Sequence, residues 1–141
     1  KFLEPVDYLT SRLTGRINAS QHTALTMMLT SNRNWGDREY CESLLKMSGI
    51  DLEKLPELLP SDGIVGNITP AVAQELGLST ETQVICGMYD NQAAISGAGI
   101  VDLQQGLLLV STTLSLNGYI DSKKTDIVKS IASIPSCLPG K

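Results

Sequence analysis

The stretch "CGMYDNQAAISGAG", residues 86–99, sets a carboxylate and two amides, Asp90-Asn91-Gln92, behind a short apolar run and ahead of a train of small residues. A carboxylate at the carboxyl end of a strand, where open α/β sheets bind ligands, can accept a proton from a substrate hydroxyl. Neighbouring amides donate and accept hydrogen bonds, as recognition of a polyol requires. An Asp at that junction also has an ordinary role. It caps the helix that follows by accepting backbone N–H bonds, and the positive end of the helix dipole favours its charge. On the residues alone both readings stand. Ala93, Ala94, Ser96, Gly97, Ala98 and Gly99 would let this helix approach another backbone closely, whether for packing or beside a ligand. A second candidate is "LVSTT", ending on Ser111, Thr112 and Thr113. Hydroxyls and free N–H groups at a strand end or hairpin can hold phosphate oxygens. An ordinary Thr-rich strand has the same composition.

The elements that would position these residues are short. Residues 5–13 read as a helix: Pro5 suits a first helical position, Val6, Leu9 and Leu13 share a face, and Gly15 can end it. Residues 20–29 place Leu25, Met28 and Leu29 at helical spacing, with Thr23, Thr26 and Thr30 against it. Residues 32–36 read as a turn in which Trp35 is a packing anchor, and His22 reads as a surface or half-buried side chain. Residues 37–47 carry the strongest helical pattern. Asp37 is its candidate N-cap, Tyr40, Cys41, Leu44, Leu45 and Met47 lie on one side, acids lie on the solvated side, and Gly49 can stop it.

Residues 63–68 read as extended. Thr69-Pro70 then supplies an N-cap and a Pro at the first position of a helix that Gly77 closes. Val84-Ile85-Cys86 reads as a short buried strand, and the helix that follows runs from Asp90 through about residue 98. Beyond a Gly-flanked joint at 99–106, residues 107–116 read as one β-rich apolar segment. Asn117-Gly118 reads as a turn or bulge, with continuation of the strand through Tyr119-Ile120 as the alternative, and residues 127–134 as a weaker strand. Helices before the joint and strands after it predict two structural units meeting near residues 100–105, the second too short to fold alone.

Composition narrows the classes. The 141 residues are 42% hydrophobic, with a net charge of −4 and no basic cluster, which points away from nucleic acid and from a membrane surface. No apolar run approaches the ~18 residues a membrane span needs, and "KFLEPVDYLT" breaks its apolar character too early for a signal peptide. Cys41, Cys86 and Cys137 are far apart and His22 is a lone imidazole, so neither a disulfide framework nor a metal site is expected. Reduced thiols fit a cytoplasmic protein. Both ends read as cut, Lys1 without a preceding Met and Lys141 just after a strand-like stretch, which predicts a piece of a larger protein.

In their order and spacing these segments resemble the middle of an FGGY-family carbohydrate kinase of the xylulokinase type, over essentially the whole chain. "DYLTSRLTGR" is similar to the family's segment before its lid helices. Ser20, Thr23, Leu25 and Trp35 follow its "S…T-L…W" pattern, and "SGIDLEKLPELLPSDGIVGNITPAVAQELGLSTETQVICGMYDNQAA" follows its run up to the "G-x-x-D" element. "LLLVSTTLSL" resembles its second phosphate loop.

The resemblance implies an α/β chain, part of an actin-like, ribonuclease H-like ATPase fold. Residues 1–101 would be the end of domain I and residues 105–141 the start of domain II. It implies Asp90 as catalytic base, Asn91 as a contact to sugar hydroxyls, and Ser111, Thr112 and Thr113 as the ATP phosphate loop. This sequence departs from the family's Gly-Thr-Ser there: Ser111 stands where Gly permits close backbone approach, and Thr113 stands for Ser. The substrate would be a pentulose or related sugar or polyol, with ATP and Mg2+ serving the complete enzyme. The family's N-terminal Asp-x-Gly-Thr loop and C-terminal glycine pair are not in this sequence. The isolated chain is therefore expected to hold no cofactor tightly and to be inactive. Unpaired strand edges predict a homo-oligomer. The alternative is a truncated, inactive relative acting as a sugar-binding or self-associating module.

Overall fold

The computed structural model describes residues 1–33 and 39–138. Trp35 and Asp37, read above as an anchor and an N-cap, lie outside the described residues. The chain divides into two compact units, Lys1–Met88 and Tyr89–Lys141.

In the first unit Pro5 opens α1 (Pro5–Thr14), where a missing N–H costs nothing, and Gly15 ends it in the left-handed conformation with φ 73°. β1 (Asn18–Ser20) leads into α2 (Gln21–Ala24). Ser20 and Thr23 form a capping box: the Ser20 hydroxyl accepts from the Thr23 N–H, and the Thr23 hydroxyl accepts from the Ser20 N–H. The helix expected over 20–29 is cut short. A single 3-10 turn follows, Leu25–Met27, and Met28 ends it with φ 56°. The threonine hydroxyls compete with the helix for its carbonyls, Thr26 Oγ1 donating to the Thr23 carbonyl at 2.6 Å.

α3 (Glu42–Ser48) starts later than expected. Tyr40 instead bridges Thr30, and Cys41 is the N-cap. No residue of α3 is fully buried: Leu44 and Leu45 are half-buried and Met47 is 83% exposed. β2 (Glu57–Leu59) pairs in parallel with β1 from Asn18↔Glu57 to Ser20↔Leu59. β3 (Ile64–Asn67) and β4 (Gln83–Ile85) are antiparallel, with an irregularity between Ile64 and Gly66. Between them α4 (Pro70–Leu76) has the expected Thr69 cap and Gly77 stop. β4 is less covered than a buried strand: Ile85 is 61% exposed, while Cys86 just beyond it is buried. Gly87 has a steric reason. A Cβ there would overlap a methyl of Val6 on α1.

The core of this unit is Ala19, Ala24, Leu29, Leu55, Val65, Ile68, Ala73 and Cys86. Polar residues are buried beside them, including Asp7, Ser20, Thr23 and His22. His22, expected at the surface or half-buried, is 1% exposed, and its Nε2 lies 3.1 Å from Ser61 Oγ.

In the second unit α5 (Asp90–Gly97) buries Gln92 and Ile95. β5 (Gly106–Val110) and β6 (Leu114–Gly118) form an antiparallel hairpin in register from Gly106↔Gly118 to Val110↔Leu114. The single segment expected over 107–116 is thus two strands, and the reversal falls at residues 111–113 rather than at Asn117-Gly118. The strand expected over 127–134 is one isolated bridge, Asp126↔Ile131, with Ser130 at φ 54°. The chain beyond it is tied to α5: Gln92 Nε2 donates to the Pro135 carbonyl, and Ser96 Oγ lies 3.1 Å from Cys137 Sγ.

Candidate functional site

α5 begins at Asp90, with Tyr89 as an N-cap that offers no side-chain bond. Asp90 is therefore the first helical residue rather than the cap. Its Oδ1 still accepts from the Asn91 N–H at 2.7 Å, so the carboxylate satisfies one of the free donors of the first turn. Asp90 is exposed and Asn91 half-buried.

The hairpin turn is closed by its own serine. The Ser111 N–H donates to the Thr113 carbonyl at 3.0 Å, its hydroxyl donates to the same carbonyl at 3.3 Å, and the Thr113 N–H reaches that hydroxyl at 3.5 Å. The Ser111 side chain is turned into the loop it stabilises.

Within the second unit a cleft of about 230 Å³ brings the two segments together. Asp90, Asn91 and Ala94 line it from α5, and Leu109, Val110, Ser111, Thr113 and Ser115 from the hairpin. Four of the five residues singled out in the sequence thus share one cavity. Thr112, at the tip of the turn, does not line it. Ser115 does, and the sequence carried a signal for it: residues 111, 113 and 115 are all hydroxyl-bearing and share one side of a period-2 pattern. The small residues behind Asp90 serve differently from expectation. Ala94 leaves room in the cleft, but Ala93, Gly97 and Ala98 are exposed, and a Cβ at Gly97 would meet nothing within 4 Å.

A larger cleft of about 420 Å³ lies in the first unit, lined by Arg16, Asn18 and Glu57 among aliphatic side chains. Its polar groups engage one another and the backbone: Arg16 Nη1 donates to the Val65 carbonyl at 3.2 Å, and Asn18 Nδ2 to Glu57 Oε2 at 3.1 Å. The smaller cleft therefore offers the more available chemistry, a solvent-facing carboxylate across from hydroxyls. Among the described residues no cluster of three or more His, Cys, Asp or Glu could hold a metal ion, and no helix is long and apolar enough to cross a membrane.

Comparison with known proteins identifies the family. The model of the N-terminal domain of the FGGY family of carbohydrate kinases matches residues 1–97. Xylulose kinase of Bacillus subtilis is 32% identical over 126 residues, 89% of this chain and 24% of its own. Autoinducer-2 kinase of Klebsiella pneumoniae is 28% identical over 134 residues, 95% of this chain and 25% of its own. A crystal structure described as a xyloylose kinase from Brucella ovis superposes with a TM-score of 0.84 at 22% identity, over 98% of this chain and 28% of that one. The chain thus spans about a quarter of the length of the curated relatives it matches.

Proposed function

This chain belongs to the FGGY family of carbohydrate kinases, and from that premise we propose that it carries the acceptor side of an ATP-dependent phosphoryl transfer to a sugar or polyol, a pentulose or a close relative. The observation that carries this reading is the shared cleft, which sets Asp90 and Asn91 across from Ser111 and Thr113. Asp90 accepts the proton of the attacking hydroxyl as its oxygen bonds to the γ-phosphorus and ADP departs. Asn91 hydrogen-bonds adjacent sugar hydroxyls with its amide. Ser111 and Thr113 face the transferred group, with Thr112 at the turn beside them. Mg2+-bound ATP supplies that group, and the ion offsets the charge that develops on it. In this reading residues 1–101 close the family's first domain, residues 105–141 open its second, and the protein works in the cytoplasm.

The test is Asp90→Asn in a chimera in which this chain replaces the matching quarter of Bacillus subtilis xylulose kinase. Loss of a general base costs ~10²–10⁴-fold in turnover, whereas Asn preserves the local acceptor and should leave the melting temperature nearly unchanged. Turnover above about a tenth of the parent chimera, well outside the expected loss, would reduce Asp90 to a structural residue. The 141-residue chain alone is expected to read as background in ADP-release assays.

One observation favours a second reading, in which the chain acts as a self-associating module. The β5–β6 hairpin leaves Leu108, Val110, Leu114 and Leu116 more than half exposed.

A further inference from the structure

Among the described residues that line the cleft of the second unit, Asp90 alone carries a charge. A phosphate oxygen entering there depends, on the protein side, on neutral donors. Three lining residues carry hydroxyls, Ser111, Thr113 and Ser115, and their protons are not equally available. The Ser111 hydroxyl donates to the Thr113 carbonyl at 3.3 Å, so its proton is spent inside the turn. Ser115 differs. Its Oγ accepts from Asn117 Nδ2 at 2.9 Å, and among the described residues Asn117 is its one side-chain partner. A hydroxyl has one proton to donate and two lone pairs to accept with. With a lone pair held by the Asn117 amide, the Ser115 proton remains for a partner in the cleft. The strand keeps the pair in place: Ser115 and Asn117 are two apart on β6 and share its half-buried face, while Leu114, Leu116 and Gly118 face solvent. Across the hairpin Ser115 pairs with Leu109, which lines the same cleft.

Taking this cleft as the site of phosphoryl transfer, we propose that Ser115 is a further nucleotide contact. Its hydroxyl donates to a phosphate oxygen of ATP, and Asn117 is the positioning residue that leaves the proton free for it. Phosphate is the partner because its ionised oxygens only accept, and a donor to a charged oxygen makes the stronger bond. Sugar hydroxyls both donate and accept, and Asp90 and Asn91 serve them from α5. Ser115 thus supplies from the strand the donor that Ser111 keeps for the turn. A serine–asparagine bond that only steadied the hairpin would leave nucleotide binding untouched.

The test uses the chimera with Bacillus subtilis xylulose kinase. Titration calorimetry with Mg2+ and a non-hydrolysable ATP analogue reads binding without turnover, and steady-state rates give kcat/KM for ATP and KM for the sugar. Ser115→Ala should weaken analogue binding and lower kcat/KM for ATP by about tenfold or more, the scale of a hydrogen bond to a charged group, with the KM for the sugar unchanged. Ser115→Thr keeps the hydroxyl on a strand-compatible side chain and should recover most of the loss. Asn117→Val frees the hydroxyl to turn and should give a smaller loss. That loss should vanish when Ser115 is already alanine, since coupled residues are not additive. Unchanged analogue binding in Ser115→Ala, no recovery in Ser115→Thr, or additive effects at 115 and 117 would reduce the pair to a feature of the hairpin. A rise confined to the sugar KM would put Ser115 on the acceptor side and equally overturn the assignment. Asp90→Asn checks the premise separately: turnover lost there with Ser115→Ala silent removes Ser115 alone, and both substitutions silent remove the cleft as the site together with Ser115.

Discussion

The unit Lys1–Met88 and the unit Tyr89–Lys141 are built to different standards. The first buries apolar side chains from α2, α4, β1, β3 and the segments between them, together with a hydrogen-bonded polar group around Asp7, Ser20 and Thr23. The second fully buries only Ile95 and Tyr119 among its described apolar residues and leaves a hairpin face open. Yet the cleft that gathers Asp90, Asn91, Ser111 and Thr113 lies in the second. Packing and candidate chemistry are thus divided between the units. A site on sparsely covered elements can rearrange around a ligand at little cost, while the densely packed unit gives the chain its stability.

Native-state hydrogen exchange offers the largest way to break that contrast. Opening free energies track local burial. Amides of α1, α4 and β3 should therefore be protected at least ~100-fold more than those of β5 and β6, measured at a concentration where the chain is monomeric. Protection within a few-fold across both units would show that they unfold as one body.

The polar group in the first unit makes the next prediction. Asp7, on α1, is 1% exposed. Its Oδ1 accepts from Thr23 Oγ1 at 2.9 Å, and its Oδ2 has no hydrogen-bond partner among the described residues. Desolvation raises its pKa from the ordinary 3.8 to about 6, against the lowering pull of the Thr23 hydroxyl and the Ser20 backbone. A carboxyl whose folded pKa is raised stabilises the fold fully below its unfolded pKa, and that contribution is lost as pH rises through the folded value. Stability should therefore fall between about pH 4 and pH 7, by up to about 3 kcal/mol at 1.36 kcal/mol per unit. Tyr40 and Cys86, raised to about 12 and about 11, titrate above this window. Urea unfolding of the chain and of Asp7→Asn at several pH values isolates the effect, because the remaining carboxylates are common to both. Equal slopes would mean that Asp7 is not its source.

What was legible in the sequence follows the same division. The starts and stops of α1 and α4 were plain because Pro5, Thr69-Pro70, Gly15 and Gly77 act locally, through a fixed φ, a capping hydroxyl or a left-handed turn. β1 was not, since Asn-Ala-Ser carries no strand preference and its register is set by β2, with Asn18 bonding Glu57 39 residues away. The burial of His22 likewise depends on a distant Ser61. The hairpin was read as one strand because Ser-Thr-Thr lacks the Gly or Asn that marks most tight turns, and the Ser111 hydroxyl does that work instead. The position of the candidate site was legible in its motifs. That Ser115 enters the cleft and Thr112 does not depended on where the hairpin turns.

The smallest effect tests why the motif glycine ahead of Asp90 is a glycine. At Gly87 φ lies outside the left-handed region, so the reason is space and not conformation. A Cβ there would overlap one Val6 methyl and lie 3.1 Å from the other, tighter than ordinary van der Waals contact. Val6 is on α1 and its Cβ is anchored by the helix, so it cannot swing away as the end of a long side chain would. Gly87→Ala should then cost about 1–3 kcal/mol, the range for overpacking. A purely conformational account predicts the opposite sign, because Ala in place of Gly at a permitted φ stabilises by about 0.4–1 kcal/mol through the unfolded state. Val6→Ala removes the obstructing methyls. In the double variant Val6→Ala/Gly87→Ala the penalty for the new Cβ should largely vanish, a coupling that only residues in contact show. Denaturant midpoints of the four proteins in this cycle decide it: additive effects would mean that α1 and the Gly87 backbone do not constrain each other as the packing of the first unit requires.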